Sequence, residues 1–345
     1  MTPDDLSRLN IPSDPRLSPD GSRIAFVVSK PNLEVDRYDR VIWIDDRPFT
    51  SGPGDLAPRW SPDGSTLAFL RDDHEKKPQL AVIPTGGGEA RVLTDFDLGV
   101  EAVEWSPDGS RLAVVAITYE RDWADLDDDE RKRRPRRLTS VPYRFDNKGW
   151  LHDRKRHVWL VDPNGKDEQR CLTPGEFDEE LLAWSPDGKK IAYLTDTATH
   201  RGLVSGNEVW SVDVGSGERS KLTERGFFGA VGYRSDGVAH VLGNENPRYP
   251  VDLYLQRIEH DGALTNLTGQ LDRGSVSLAA GPAVIRWDGD DALVGLEDSG
   301  MFGVVRVTPD GVVKREVEGD TVVTGFDIIA GRLVHTASTW DSPGE

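Results

Sequence analysis

Apolar positions along the chain come in short bursts rather than in long amphipathic stretches. Each burst is set off by a turn built from Ser, Pro, Asp and Gly. The segment DPRLSPDGSRIAFVVS (14–29) returns as APRWSPDGSTLAFLRD (57–72), AVEWSPDGSRLAVVAI (102–117) and LLAWSPDGKKIAYLTD (181–196). A worn copy, AVGYRSDGVAHVLGN, covers 230–244, and two fainter ones cover 284–298 and 324–338. Within one copy, Pro62 pre-sets φ for the first turn position, Asp63 can bond its own backbone, and Gly64 accepts positive φ without steric cost. The turn therefore joins a strand ending at Trp60 to a strand over Thr66–Leu70. The run TLAFL is nearly all apolar, as expected of a strand covered on both faces. A third strand over Gln79–Ile83 and a fourth over Arg91–Leu93 complete the unit. Later copies repeat the outer pair as HVWLVD with RCLTPG, EVWSVD with SKLTERG, and DLYLQRI with LTNLTG.

Asp20, Asp63 and Asp108 are 43 and 45 residues apart, and Asp187 and Asp236 are 49 apart. A repeat of ~40–50 residues that carries four antiparallel strands is the spacing of one propeller blade. The pattern predicts an all-β chain: a seven-bladed β-propeller over residues 14–345, with an incomplete last blade. Seven hairpins of first and second strands can be counted. The seventh blade, from about residue 321, lacks third and fourth strands before the chain reaches Glu345, which reads as a truncation. Residues 1–13 are expected to stand outside the repeat as a short helical extension. Thr2 would be its N-cap, Pro3 its first residue, and Asp4 and Asp5 acids in its first turn.

Composition narrows the functional classes. The formal charge of −18 argues against non-specific binding to nucleic acid or anionic lipid. Asp outnumbers Glu two to one and Arg outnumbers Lys nearly three to one. A halophilic source and an ordinary acidic protein from a GC-rich genome both account for this. A single cysteine, Cys171, rules out an internal disulfide framework. No run approaches the ~18 apolar residues of a membrane span, and MTPDDLSRLN lacks a signal-peptide layout. A cytoplasmic protein is the expectation.

Asp108 and Asp187 are 79 residues apart, one repeat plus an insertion. The insertion occupies 117–157, in blade three. An acidic block, Asp122–Glu130, passes directly into the basic run Arg131–Arg137. That run reads either as a nucleic-acid or localisation patch or as a solvated segment whose acids and bases neutralise one another, and the second reading weighs more. The following VPYRFDNKGW (141–150) mixes aromatic and charged residues and should fold back onto something. Long insertions of this kind form lids or binding loops. It is left open whether this one faces a ligand or packs on the blade edge.

Elsewhere catalytic chemistry is not legible. His152 and His157 have no third ligand for a metal, each SPDG aspartate is explained by its own turn, and Gly86–Gly88 lack the helix and lysine of a phosphate loop. The pattern G-x-S-x-G is absent. No catalytic residue, metal site or cofactor is assigned.

SPDG followed by x-x-[IL]-A-[FYV] resembles two groups, the TolB-like propellers and the N-terminal propeller of the prolyl oligopeptidase family of serine peptidases. The opening TPDDLSRLNIPSDPRLSPDG, the insertion ending PYRFDNKGWLHDRKRHVWLVD and the final HTASTWDSPGE together resemble the acylaminoacyl-peptidase branch of the latter. The resemblance implies a C-terminal α/β-hydrolase domain carrying the catalytic Ser, Asp and His, none of which lies in these residues. It implies a non-catalytic propeller that admits short peptides to a serine peptidase of acylaminoacyl- or dipeptidyl-peptidase type. By position, Tyr143, Arg144, Asp146 and Trp150 are the candidates for gating or for binding peptide ends. The partners so implied are short peptides, the hydrolase domain and a second copy joined through blade edges. The alternative is a stand-alone, TolB-like protein-binding propeller.

Overall fold

The computed structural model describes residues 3–72, 77–138, 143–146, 148–248, 251–274, 283–342 and 344. A 3-10 helix, Pro3–Arg8, precedes the first strand. Thr2, the expected cap, lies outside the described residues. The first sheet runs β1 (Ile11–Leu17), β2 (Ile24–Asn32), β3 (Arg37–Ile44) and β4 (Arg47–Pro48), so the propeller takes in residues 11–13 that the repeat had left out. The second runs β5 (Asp55–Trp60), β6 (Thr66–Arg71), β7 (Gln79–Pro84) and β8 (Arg91–Val92). In the third, β9 (Val100–Trp105) and β10 (Leu112–Tyr119) are separated in sequence from their partners. Between them and those partners lie helix α1 (Arg121–Ala124), helix α2 (Asp128–Arg133) and a small hairpin, β11 (Arg144–Phe145) with β12 (Gly149–Trp150). The sheet is completed by β13 (Arg154–Val161) and β14 (Arg170–Cys171). The fourth sheet comprises β15 (Glu179–Trp184), β16 (Lys190–Thr195), β17 (Glu208–Asp213) and β18 (Arg219–Lys221). The fifth comprises β19 (Phe227–Tyr233), β20 (Ala239–Asn244), β21 (Tyr254–Ile258) and β22 (Leu264–Asn266).

The sixth sheet differs from the seven-blade expectation. It contains β23 (Arg286–Asp288), β24 (Asp291–Asp298), β25 (Met301–Val307) and β26 (Val313–Val317), and also β27 (Val322–Ile329) with β28 (Arg332–Ser338). All seven hairpins form, but among the described residues the blade sheets number six. Only residues 318–321 connect β26 to β27. This short link leaves the start of β27 against the start of β25, where Phe302 and Val322 pair in parallel and merge the last hairpin with the sixth sheet. No helix among the described residues is long and apolar enough to cross a membrane.

Three devices hold the repeats. In the turns, Ser61 Oγ donates to Asp63 at 2.5 Å, Asp63 accepts from the Ser65 N–H at 3.0 Å, and the Thr66 N–H returns to Ser61 Oγ at 3.0 Å. The same pattern recurs at Asp20 and Asp108. Three tryptophans that end inner strands stitch their sheets to the one before. Trp60 Nε1 donates to the Arg16 carbonyl (3.1 Å), Trp105 to that of Arg59 (3.0 Å) and Trp184 to that of Glu104 (3.3 Å). Beyond the fourth strand a buried threonine clamps the third. Thr50, Thr94, Thr173, Thr223 and Thr268 accept the N–H groups of Ile42, Leu80, Val158, Val209 and Leu255 at 2.8 to 3.1 Å.

Apolar clusters fill the spaces between successive sheets, for example Leu70, Leu80, Val103 and Val114 between the second and third. The junction of β27–β28 with β1 is linked by polar contacts. Leu17 N–H donates to Asp327 Oδ2 at 2.9 Å, and Arg332 donates to the Gly21 carbonyl. The first five blade sheets repeat one meander, and Trp60, Trp105 and Trp184 reach the same inner-strand position, so the inner strands run in one direction. The SPDG turns therefore share one face of the disc. The opposite face carries the entries to the inner strands, the insertion between β10 and β13, and the chain where it enters β1 and leaves β28.

Candidate functional site

The insertion is organised by its arginines and aromatics. Helix α2 opens with a capping box between Asp127 and Glu130, which satisfies two backbone donors of a very short helix. Ion pairs Asp128–Arg131 and Asp129–Lys132 neutralise the acidic block against the basic run. Arg131 lies 4.0 Å over the Tyr119 ring, and Arg136 lies 4.7 Å from the ring centroids of both Trp123 and Trp150. Arg136 also reaches Asp153, which is buried and takes Arg154 at 2.7 Å as well. Three arginines of the basic run, Arg131, Arg134 and Arg136, thus stack on the chain's own aromatic rings, where guanidinium–aromatic stacking stabilises the fold-back.

Of the four residues proposed from sequence, three come together. Tyr143 and Trp150 stack at 6.0 Å, and the Arg144 guanidinium lies 5.6 Å from the Trp150 ring. The β11–β12 hairpin that presents them turns through Gly149 at φ +74°. Asp146 sits on the exposed turn of the hairpin, with no ion pair to Arg144 among the described residues. Tyr143 and His152 line a cleft of about 1080 Å³ between the insertion and the fourth sheet, facing Asp178, Glu180 and Arg201. His152 packs edge-on against Trp123 and Trp150, and partial burial lowers its pKa.

A second site was missed. Arg16, Arg59, Glu104, Ala183 and Gly232 lie one position before the end of their inner strands, and Arg286 and Asp327 two positions before the end of theirs. Three of the arginines, with Asp14, Glu104 and inner-strand apolar residues, line a central channel of about 680 Å³. Asp14 accepts Arg16 at 2.5 Å and Arg59 at 3.1 Å, and Arg59 also holds Glu104 at 2.9 Å. Burial would raise the Asp14 carboxyl, but Arg16 and Arg59 outweigh it and hold it down at about 2. Burial, then the neighbouring Arg286 and Arg59, depress Arg16 to about 10. A charged residue recurring just ahead of the WSPDG aromatic was the signal available in the sequence.

His157 Nδ1 and Thr173 Oγ1 both lie 2.9 Å from Glu179 Oε2, a constellation with the composition of a catalytic triad. All three residues are buried, and Thr173 also accepts the Val158 N–H. The cluster ties the outer strands of the third sheet to the fourth. Among the described residues, no group of three His, Cys, Asp or Glu side chains could hold a metal.

Residues 34–343 match the family described as acylaminoacyl-peptidase, N-terminal beta-propeller domain. The chain belongs to that family. An acylaminoacyl peptidase from Pyrococcus horikoshii shares the fold with a TM-score of 0.76 at 23% identity, over 99% of this chain and 51% of that one. The β-propeller domain of the trilobed protease from Pyrococcus furiosus superposes with a TM-score of 0.68 at 18% identity, over 98% of this chain and 92% of that domain. An uncharacterized peptidase of Bacillus subtilis (strain 168), YuxL, is 32% identical over 211 residues, 57% of this chain. The matched segment covers 32% of YuxL, and this acylaminoacyl-peptidase propeller spans about half the length of the archaeal enzyme.

Proposed function

We propose that the chain is the substrate-gating propeller of a serine peptidase that cleaves short peptides, of acylaminoacyl- or dipeptidyl-peptidase type, and is itself non-catalytic. The observation that carries this reading is the channel. Its volume of about 680 Å³ lies in the range that holds a small ligand. A folded domain of about 100 residues, with a radius of gyration near 13 Å, cannot enter it. The family match supplies the peptidase context. In this reading a hydrolase domain sits on the face that carries the insertion, with Tyr143, Arg144 and Trp150 at the rim of the path to it. The test uses a protein joining this chain to a hydrolase domain. It should cleave free peptides and spare the same sequences displayed on a folded carrier, and equal cleavage of both would refute gating. The 345-residue chain alone should not turn over acyl-aminoacyl or dipeptidyl chromogenic substrates. Turnover that persists through purification would refute the non-catalytic assignment.

A further inference from the structure

The charged ring at the turn end of the channel is incompletely satisfied. Arg59 spends its guanidinium on Asp14, Glu104 and the Pro58 carbonyl. Arg16 spends one nitrogen on Asp14 and another on the Pro15 carbonyl, and its Nε is a buried atom with no hydrogen-bond partner. Arg286 is further from satisfaction. Its Nε lies 3.3 Å from Asp327 Oδ1 without hydrogen-bond geometry, and the other Asp327 oxygen is taken by the Leu17 N–H. Among the described residues, Arg286 donates no hydrogen bond. Two guanidinium groups close enough to repel each other therefore face one channel with unused, partly desolvated donors. A planar oxyanion in the channel would accept from the terminal nitrogens of both and offset the two positive charges together.

We propose that Arg16 and Arg286 form a binding site, at the SPDG-turn end of the channel, for a single oxyanion of carboxylate size. Two sources present that chemistry, the C-terminal carboxylate of a short peptide threading the channel and a free inorganic anion. The identity of the peptide rests on the channel reading above; the site itself rests on the ring. It lies at the end of the channel away from the insertion, so it would hold the trailing end of a peptide whose other end points towards that face.

The test is a calorimetric titration of the 345-residue chain with trialanine, trialanine amide and inorganic phosphate. Saturable binding of trialanine but not of its amide, with phosphate weak, identifies the peptide terminus. Phosphate binding as tightly as trialanine identifies a free-anion site. In either case Arg286→Met should weaken binding at least about tenfold, the loss expected for a charge-assisted bidentate contact. Arg286 makes no hydrogen bond in the ring, so this substitution should leave the fold intact. As a second measurement, phenylglyoxal modification of Arg286, mapped by mass spectrometry, should slow in the presence of the bound probe. Absence of saturable binding with every probe overturns the proposal. So does binding that survives Arg286→Met, or modification of Arg286 that no bound probe slows. None of these readouts depends on peptidase activity, so they fail separately from gating.

Discussion

Asp327 makes one of the two polar contacts that link the last hairpin to the first sheet, and replacing it with leucine isolates its share. Leucine keeps the branched outline with bulkier methyl groups and cannot accept the Leu17 N–H, which now donates to Asp327 at 2.9 Å in a buried setting. A hydrogen bond to an ionised acceptor is worth about 1.5–3 kcal/mol. The accompanying Arg286 pair, at 3.3 Å and partly exposed, adds at most about 1 kcal/mol. Asp327→Leu should therefore loosen the β1–β27 junction by about 2–4 kcal/mol. A single global unfolding energy is a poor readout for a chain of this size, so amide hydrogen exchange is the better measurement. Exchange at Leu17 should accelerate by about thirtyfold or more, while amides of the second and third sheets change little. Asp327→Asn keeps an acceptor but no charge and should fall between leucine and wild type. Unchanged exchange at Leu17 in Asp327→Leu would refute the claim that this polar contact holds the junction.

His240 is buried against Trp287, and burial depresses its pKa from 6.5 to about 4, so the unfolded chain takes up the proton first. Stability should fall as pH drops from about 6.5 to 4, by about 3 kcal/mol in all, and His240→Phe should flatten that slope in chemical denaturation curves. Asp14, held down at about 2, contributes stability that is present above its unfolded value near 3.8 and is lost below it; Asp14→Asn should flatten denaturation only in that lower window. Gly64 sits at φ +71° in its turn, so Gly64→Ala should cost about 1 kcal/mol through backbone strain, since the added carbon meets only Pro19 at an ordinary 3.5 Å. Arg136→Met removes the cation between Trp123 and Trp150 and should speed proteolytic nicking within the insertion, leaving the other sheets intact; an unchanged digestion pattern would mean that the stack does not hold the fold-back.

The repeat was readable because each SPDG turn is a local device, set by Pro, Asp and Gly with no help from distant residues. The strand that follows it was readable because burial on both faces makes it continuously apolar. Blade number was harder. The hairpin count of seven is correct as a count of hairpins, but sheet membership depends on where a four-residue connection leaves Val322, and pairing with Phe302 is a tertiary event. The fold-back of the insertion was foreseeable from its aromatic content. The stacking of Arg136 between Trp123 and Trp150 was not, since those residues are distant in sequence and share no repeat.

The channel ring escaped for a more instructive reason. Reading which side chains face the axis needs strict alternation along the inner strand, and these strands do not alternate. Register shifts interrupt β1 between Ser13 and Arg16, β5 between Leu56 and Arg59, and β15 between Glu180 and Ala183, with Asp14, Ala57 and Leu181 at positive φ. A bulge adds one residue and turns the following side chains to the other face. Arg16 and Arg59 therefore look at the axis, although a period of two counted from the start of the strand would place them differently. The same bulges bring Asp14 beside Arg16 and Arg59, and so create the paired charges of the ring. In this propeller the irregular residues of the inner strands carry the chemistry of the channel, and the regular turns fix where the channel lies. A search for function in relatives of this fold should begin at the bulge, three residues ahead of the residue that opens the conspicuous motif.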